Sequence, residues 1–182
     1  MTAYSRKRLP HIDAPHTTQF VTFCLFDAFS RNEYAIPFDD ELSWDDAIDR
    51  GLGSCLLAIP EVATIVDTSV RYFDGERYDL HAWCVMPNHV HVLVTTGEEL
   101  LLSEIVVGWK RFTARAINRI AARAGAVWAR DHFDRYIRDN DHFVATKHYI
   151  ENNPVKAGLV SEPRDWPYSS ATMRATTYPD LG

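Results

Sequence analysis

Cysteine is scarce. Cys24, Cys55 and Cys84 are the only three in 182 residues, widely separated and without a Cys-x-x-Cys pair. That excludes a disulfide framework and a thiolate zinc site, and the three read as buried apolar filler. Long hydrophobic runs are also missing. Residues 20–26, 55–60 and 90–94 are the longest candidates, strand-sized or broken by Thr or Pro, whereas a membrane helix needs roughly 18 to 20 apolar residues. No greasy core follows the basic start Arg6-Lys7-Arg8, where Pro10, His11, Asp13 and Pro15 stand instead. Export is therefore not expected, and the cytoplasm is the expected compartment. No internal repeat or low-complexity tract is visible, and the length suits one domain over 1–182.

The chain has an ordinary share of apolar residues, 46%, which is enough for a packed core and excludes global disorder. Its net charge of -6 argues against a polyanionic partner until the distribution is read. Residues 27–50 hold eight acids against two bases, and residues 110–138 hold eight bases against two acids. The acidic stretch reads as a solvated insertion. The basic stretch has the composition of a phosphate-backbone footprint, although a solvated helix face has the same composition.

Residues 17–26 are rich in β-branched and aromatic side chains, as in a half-buried strand. Ser43-Trp44-Asp45-Asp46 looks like a helix start, and Pro60-Glu61 opens a second helical pattern over 59–73. Residues 78–86 and 89–95 are two β-favouring runs joined by Pro87-Asn88, a hairpin signature. Ile105, Trp109, Phe112, Ala116 and Ile120 form one apolar stripe, so a long amphipathic helix is expected over 100–124, stopped by Gly125. Residues 127–137 suit a last strand with a turn. Residues 141–152 are helical in pattern, with Asn153-Pro154 expected to end them. The proline-bearing tail from about 159 is expected to be mostly loop. This order predicts an α+β fold: an antiparallel, ferredoxin-like (RRM-like) sheet with helices packed on one face.

On a strand, side chains alternate with period two, so His89 and His91 share one face while Val90, Val92 and Val94 take the other. Two neutral imidazoles side by side can hold a divalent cation and leave positions open. Alone, His-x-His is equally the pattern of two histidines on a solvated sheet. Tyr149 and Asn153 are four apart and share a helix face if the helix persists, though packing and a helix end would also explain them.

Five separated motifs, in order, resemble the REP-associated tyrosine transposases, small members of the single-tyrosine HUH transposase superfamily. They are Met86-Pro87-Asn88-His89-Val90-His91-Val92-Leu93-Val94; Trp109-Lys110 with Ala116-Ile117-Asn118-Arg119; Phe133-Asp134-Arg135-Tyr136-Ile137-Arg138; Tyr149-Ile150-Glu151-Asn152-Asn153-Pro154-Val155-Lys156-Ala157-Gly158-Leu159-Val160; and Asp165-Trp166-Pro167-Tyr168-Ser169-Ser170. The resemblance implies an HUH endonuclease type of fold in which the His-x-His strand faces the tyrosine helix. It implies His89, His91 and Asn153 as ligands of Mg²⁺ or Mn²⁺, and Tyr149 as the nucleophile that forms a 5′-phosphotyrosine. It further implies metal-dependent nicking and strand transfer on single-stranded DNA or palindromic hairpins. A domesticated hairpin-binding protein that no longer cuts is the alternative. Lys110, Arg111, Arg115, Arg130, Arg135 and Arg138 are the expected DNA contacts, and the chain is expected to act as a monomer or homodimer. No residue of the sequence identifies itself as the base for the phenol.

Overall fold

The computed structural model describes residues 14–28, 48 and 53–176. The β-favouring runs become four strands: β1 (Thr18–Cys24), β2 (Tyr78–Val85), β3 (His89–Thr96) and β4 (Phe133–Tyr136). They form one antiparallel sheet in the order β2-β3-β1-β4. Among the described residues they are accompanied by α1 (Pro60–Arg71), α2 (Leu102–Ile120) and α3 (Asn140–Lys156). The succession β1-α1-β2-β3-α2-β4 with this strand order is the ferredoxin-like arrangement, as expected, and α3 follows it.

Period-two alternation divides the sheet into two apolar layers. Val21, Phe23, Val90, Val92 and Val94 pack with Val62, Val66, Ile105, Val106 and Trp109 of α1 and α2. Phe20, Ala82, Cys84, Leu93 and Ile150 form a second layer, flanked by Phe133, Phe143 and Tyr149. One-face packing thus holds for α1 and α2, whereas α3 covers the opposite face. The reason is the pleat: Phe20, Ala82 and Leu93 are large or apolar on that face too and need a cover. An ion pair seats α3. Lys147 Nζ lies 2.9 Å from Glu151 and donates to the His81 carbonyl oxygen at 2.7 Å, and the Ser170 hydroxyl donates to Glu151 Oε1 at 3.0 Å.

Three expectations shift. Helix α2 stops at Ile120, because the Asn118 amide donates to the Gly125 carbonyl oxygen and Ala122 adopts a left-handed conformation, which together wind residues 121–125 into turns. Helix α3 runs through Asn153-Pro154 to Lys156. Proline's φ suits a helix, and only its missing N–H and ring stand against it. Asn153 and Pro154 are buried, so packing on the sheet holds the last turn. The tail is also more than loop. The Val85 N–H donates to the Tyr168 carbonyl oxygen and the Trp166 indole donates to the Val85 carbonyl oxygen, each at 2.9 Å, which covers the exposed edge of β2.

The acidic segment and its expected helix lie almost wholly outside the described residues. Its base is described: the Asp27 carboxylate accepts from the Ser54 N–H at 2.9 Å. Gly53 sits at φ 90°, where a Cβ would run into the Asp27 carbonyl oxygen, so this position requires glycine. Ile48 is fully buried in the α1–α2 layer. Cys24 and Cys84 are buried and Cys55 is half-buried.

Candidate metal and nucleophile site

His89 and His91 project from β3 toward α3, both at 1% exposure or less. Their Nε2 atoms are 3.0 Å apart. The outer nitrogens are held by a strand neighbour and by a residue of the β2–β3 turn. His91 Nδ1 lies 2.7 Å from Thr22 Oγ1, directly across on β1. His89 Nδ1 lies 2.8 Å from Asn88 Oδ1, whose own NH₂ donates to the Ile48 carbonyl oxygen at 3.0 Å. An amide oxygen only accepts, so His89 carries its proton on Nδ1 and presents a lone pair at Nε2. Burial, reinforced by His91 and the Lys156 charge, pushes the His89 pKa well below its ordinary value, which keeps the ring neutral.

From α3, Asn153 places its amide nitrogen 3.3 Å from His91 Nε2, while its Oδ1 is buried without a hydrogen-bond partner. Turning that amide over would aim the oxygen into the space between the imidazoles. The Tyr149 ring, one turn back, lies 5.6 Å from the His91 ring and 6.1 Å from Phe20, both in edge contact. Tyr149 is half-buried, so it is the member of the group that reaches solvent. All four residues meet within one chain.

The donor set fits a divalent cation. Two imidazole nitrogens 3.0 Å apart have the separation of neighbouring ligands on an octahedral ion with bonds of about 2.1 Å. The Asn153 amide oxygen, buried without a hydrogen-bond partner, is available as a third donor once the amide is turned. Among the described residues no third His, Cys, Asp or Glu joins them, so the ligand set carries no negative charge of its own and leaves room for anionic oxygens.

The cationic candidates separate. Arg135, opposite Phe20 on β4, lies with its guanidinium 5.6 Å from the Phe20 ring and therefore lines the site face. Arg130 and Arg138 are exposed on either side of β4, and Arg111 and Arg115 are exposed on α2, across the sheet. Lys110 corrects the expectation. Its ammonium donates to the Ala129 and Asp131 carbonyl oxygens at 3.1 and 2.9 Å, and burial lowers its pKa to about 8. It ties α2 to the β4 approach rather than facing a ligand.

Three residues escape a reading of the sequence. Thr22 reaches His91 through strand register, and Asn88, the neighbour of His89, is oriented by the distant Ile48 carbonyl oxygen, so neither carries a periodic signal. Lys156 has one: it lies three residues beyond Asn153 and seven beyond Tyr149, hence on their face. Its Nζ is 5.8 Å from the Tyr149 ring centre.

Two outcomes follow from this geometry. Thr22→Val keeps the strand's β-branched shape but removes the hydroxyl on His91, and should weaken Mn²⁺ binding by about 10- to 100-fold in a calorimetric titration. Unchanged affinity would remove Thr22 from the site. For acid stability, an unfolded histidine takes up a proton near pH 6.5 while folded His89 stays neutral. Stability is therefore complete above pH 6.5 and declines on acidification by about 1.4 kcal/mol per pH unit until the folded ring itself protonates. Urea unfolding between pH 7 and 5 should show this slope, and His89→Gln should flatten it. A slope unaltered in the variant would mean that His89 is not held neutral.

A ferredoxin-like sheet thus carries two imidazoles converging on one face, with the helix bearing Tyr149 and Asn153 laid over them. Residues 64–153 match the family model described as "Transposase IS200 like". It is 29% identical over 115 residues to a protein of Haemophilus influenzae assigned to the REP-associated tyrosine transposases, covering 57% of this chain and 65% of that protein. It is 30% identical over 95 residues to a REP-associated tyrosine transposase of Escherichia coli K12, covering 51% and 54%. The chain thus spans between half and two thirds of the length of these relatives. A solved structure of a REP-associated tyrosine transposase bound to a REP hairpin superposes with a TM-score of 0.63 at 20% identity, over 95% of this chain and 88% of that one. This last likeness concerns the fold. Among the described residues no helix is long and apolar enough to cross a membrane.

Proposed function

We propose that this protein nicks single-stranded DNA beside palindromic hairpins and rejoins it through a covalent bond to Tyr149. The observation that carries this reading is the Tyr149 ring 5.6 Å from the His91 ring, beside a pair of buried imidazoles. His89, His91 and Asn153 would hold Mg²⁺ or Mn²⁺, which when bound supplies positive charge against the non-bridging and leaving oxygens of a phosphodiester. The rest is done by the chain's own groups. Thr22 and Asn88 fix the ring orientations through Nδ1. Tyr149 Oη attacks the scissile phosphorus; an O–P bond forms as the bond from phosphorus to the 3′ oxygen breaks. The phenol gives up its proton and the departing 3′ oxygen gains one, leaving a 5′-phosphotyrosine. Attack by a 3′-hydroxyl on that ester reverses the bond changes, so strand rejoining needs no nucleotide triphosphate.

Lys156, exposed beside the Tyr149 ring, places a cation where the phosphate must pass. Arg135 supplies a second on the same face, and exposed Arg130 and Arg138 extend the path for the strand by sequence-independent phosphate contacts.

Incubation of the chain with an end-labelled hairpin oligonucleotide and Mn²⁺ tests the proposal. The expected products are an upstream fragment ending in a free 3′-hydroxyl and a downstream fragment whose 5′-phosphate is linked to the protein. Tight binding with no strand cleavage would instead support the hairpin-binding role without catalysis.

A further inference from the structure

Between α1 and α2, on the face of the sheet turned away from the histidine pair, lies a cavity of about 520 Å³. Its walls are aromatic: Tyr72 and Phe73 beyond the end of α1, Trp109 and Phe112 from α2. Two of these stand at the mouth, Tyr72 at 70% and Phe112 at 64% exposure. Large rings left in water on both lips of a cavity are a mark of a binding surface. The Arg77 guanidinium lies 3.7 Å from the Phe73 ring centre, which fixes a cation on the wall. Exposed Arg111 and Arg115 continue along α2 beside Phe112. The carboxylate in the lining, Glu104, is turned to the Leu101 N–H at 3.0 Å, at the start of α2.

The cavity is kept open at Gly108. A glycine inside a 19-residue helix costs about 1 kcal/mol relative to alanine. A Cβ at this position would meet nothing within 4 Å, so no neighbour requires its absence. What the missing side chain leaves is space.

The geometry points to this cavity as a pocket for an unstacked nucleobase of a single-stranded DNA segment, whose adjoining phosphates lie on Arg111 and Arg115. The inference rests on the proposed DNA substrate and adds a contact remote from the reaction centre. Aromatic walls match the flat faces that every base presents, and a guanidinium lip matches the anionic backbone. An apolar helix of a partner protein would find the rings but have no use for the arginines.

The test uses the whole chain and a fluorescent hairpin oligonucleotide, with or without a single-stranded flank, with 5-iododeoxyuridine placed at each flank position in turn. Gly108→Leu fills the cavity and favours the helix; Phe112→Ala removes an exposed stacking ring. Each should weaken binding of the flanked hairpin about 5- to 100-fold, with thermal unfolding showing the fold intact. Arg111→Gln with Arg115→Gln should flatten the salt dependence by about 1.4 in log–log slope, and ultraviolet cross-links should map to Tyr72 or Phe112. Wild-type binding with unaltered affinity in Gly108→Leu and Phe112→Ala, or cross-links confined to the α3 face, would overturn the pocket alone. Failure of the wild-type chain to bind either oligonucleotide would overturn the DNA reading and the pocket together.

Discussion

Tyr149→Phe should abolish the covalent DNA adduct and lower strand cleavage by about 10⁴-fold or more, to background, since loss of a nucleophile leaves only binding and electrostatic terms. The variant deletes one oxygen from a half-buried ring. The edge contacts of that ring with Phe20 and His91 do not involve the hydroxyl and survive, so the fold should be unaltered. Mn²⁺ affinity should also be retained, because the three proposed ligands are untouched. Gel analysis of labelled hairpin separates this from a water-mediated hydrolase: persistence of cleavage in the variant would show that the tyrosine merely packs.

The second large effect is expected at the other half of the site. His91→Ala removes one of two converging nitrogens and takes the partner from both Thr22 and Asn153. Mn²⁺ affinity should fall by more than about 100-fold, beyond the loss expected from an outer partner such as Thr22. Cleavage should vanish while Tyr149 remains in place. Buried polar groups left unpaired cost about 1–3 kcal/mol each, so thermal unfolding should shift downward as well. Undiminished Mn²⁺ binding would place the cation elsewhere. Together the variants give a double dissociation: one keeps the ion and loses the bond to DNA, the other keeps the phenol and loses the ion.

The parts of this site that show in the sequence are those set by local periodicity. Alternation along β3 puts His89 with His91, and one helical turn puts Tyr149 with Asn153. The meeting of the two pairs is a tertiary fact. The side of the sheet taken by α3 is not legible because its buried positions, Thr146, Ile150, Glu151, Asn153 and Pro154, include too few apolar residues to form a stripe. Passage of the helix through Pro154 is hidden for a related reason, since a local rule against proline is overridden by burial of the final turn. Lys110 shows the limit of charge counting: a base in a basic segment is spent on two backbone carbonyls. Thr22 and Asn88 acquire their roles from strand register and from a carbonyl forty residues away, Ile48.

The central claim is that the Tyr149 oxygen becomes bonded to DNA beside the histidine pair. Proteolysis of the wild-type adduct formed with hairpin DNA and Mn²⁺, followed by mass spectrometry of the DNA-linked peptide, tests it most directly. The expected result is a phosphodiester on Tyr149. A linkage to any other side chain, or cut DNA bearing a free 5′-phosphate with no peptide attached, would contradict it.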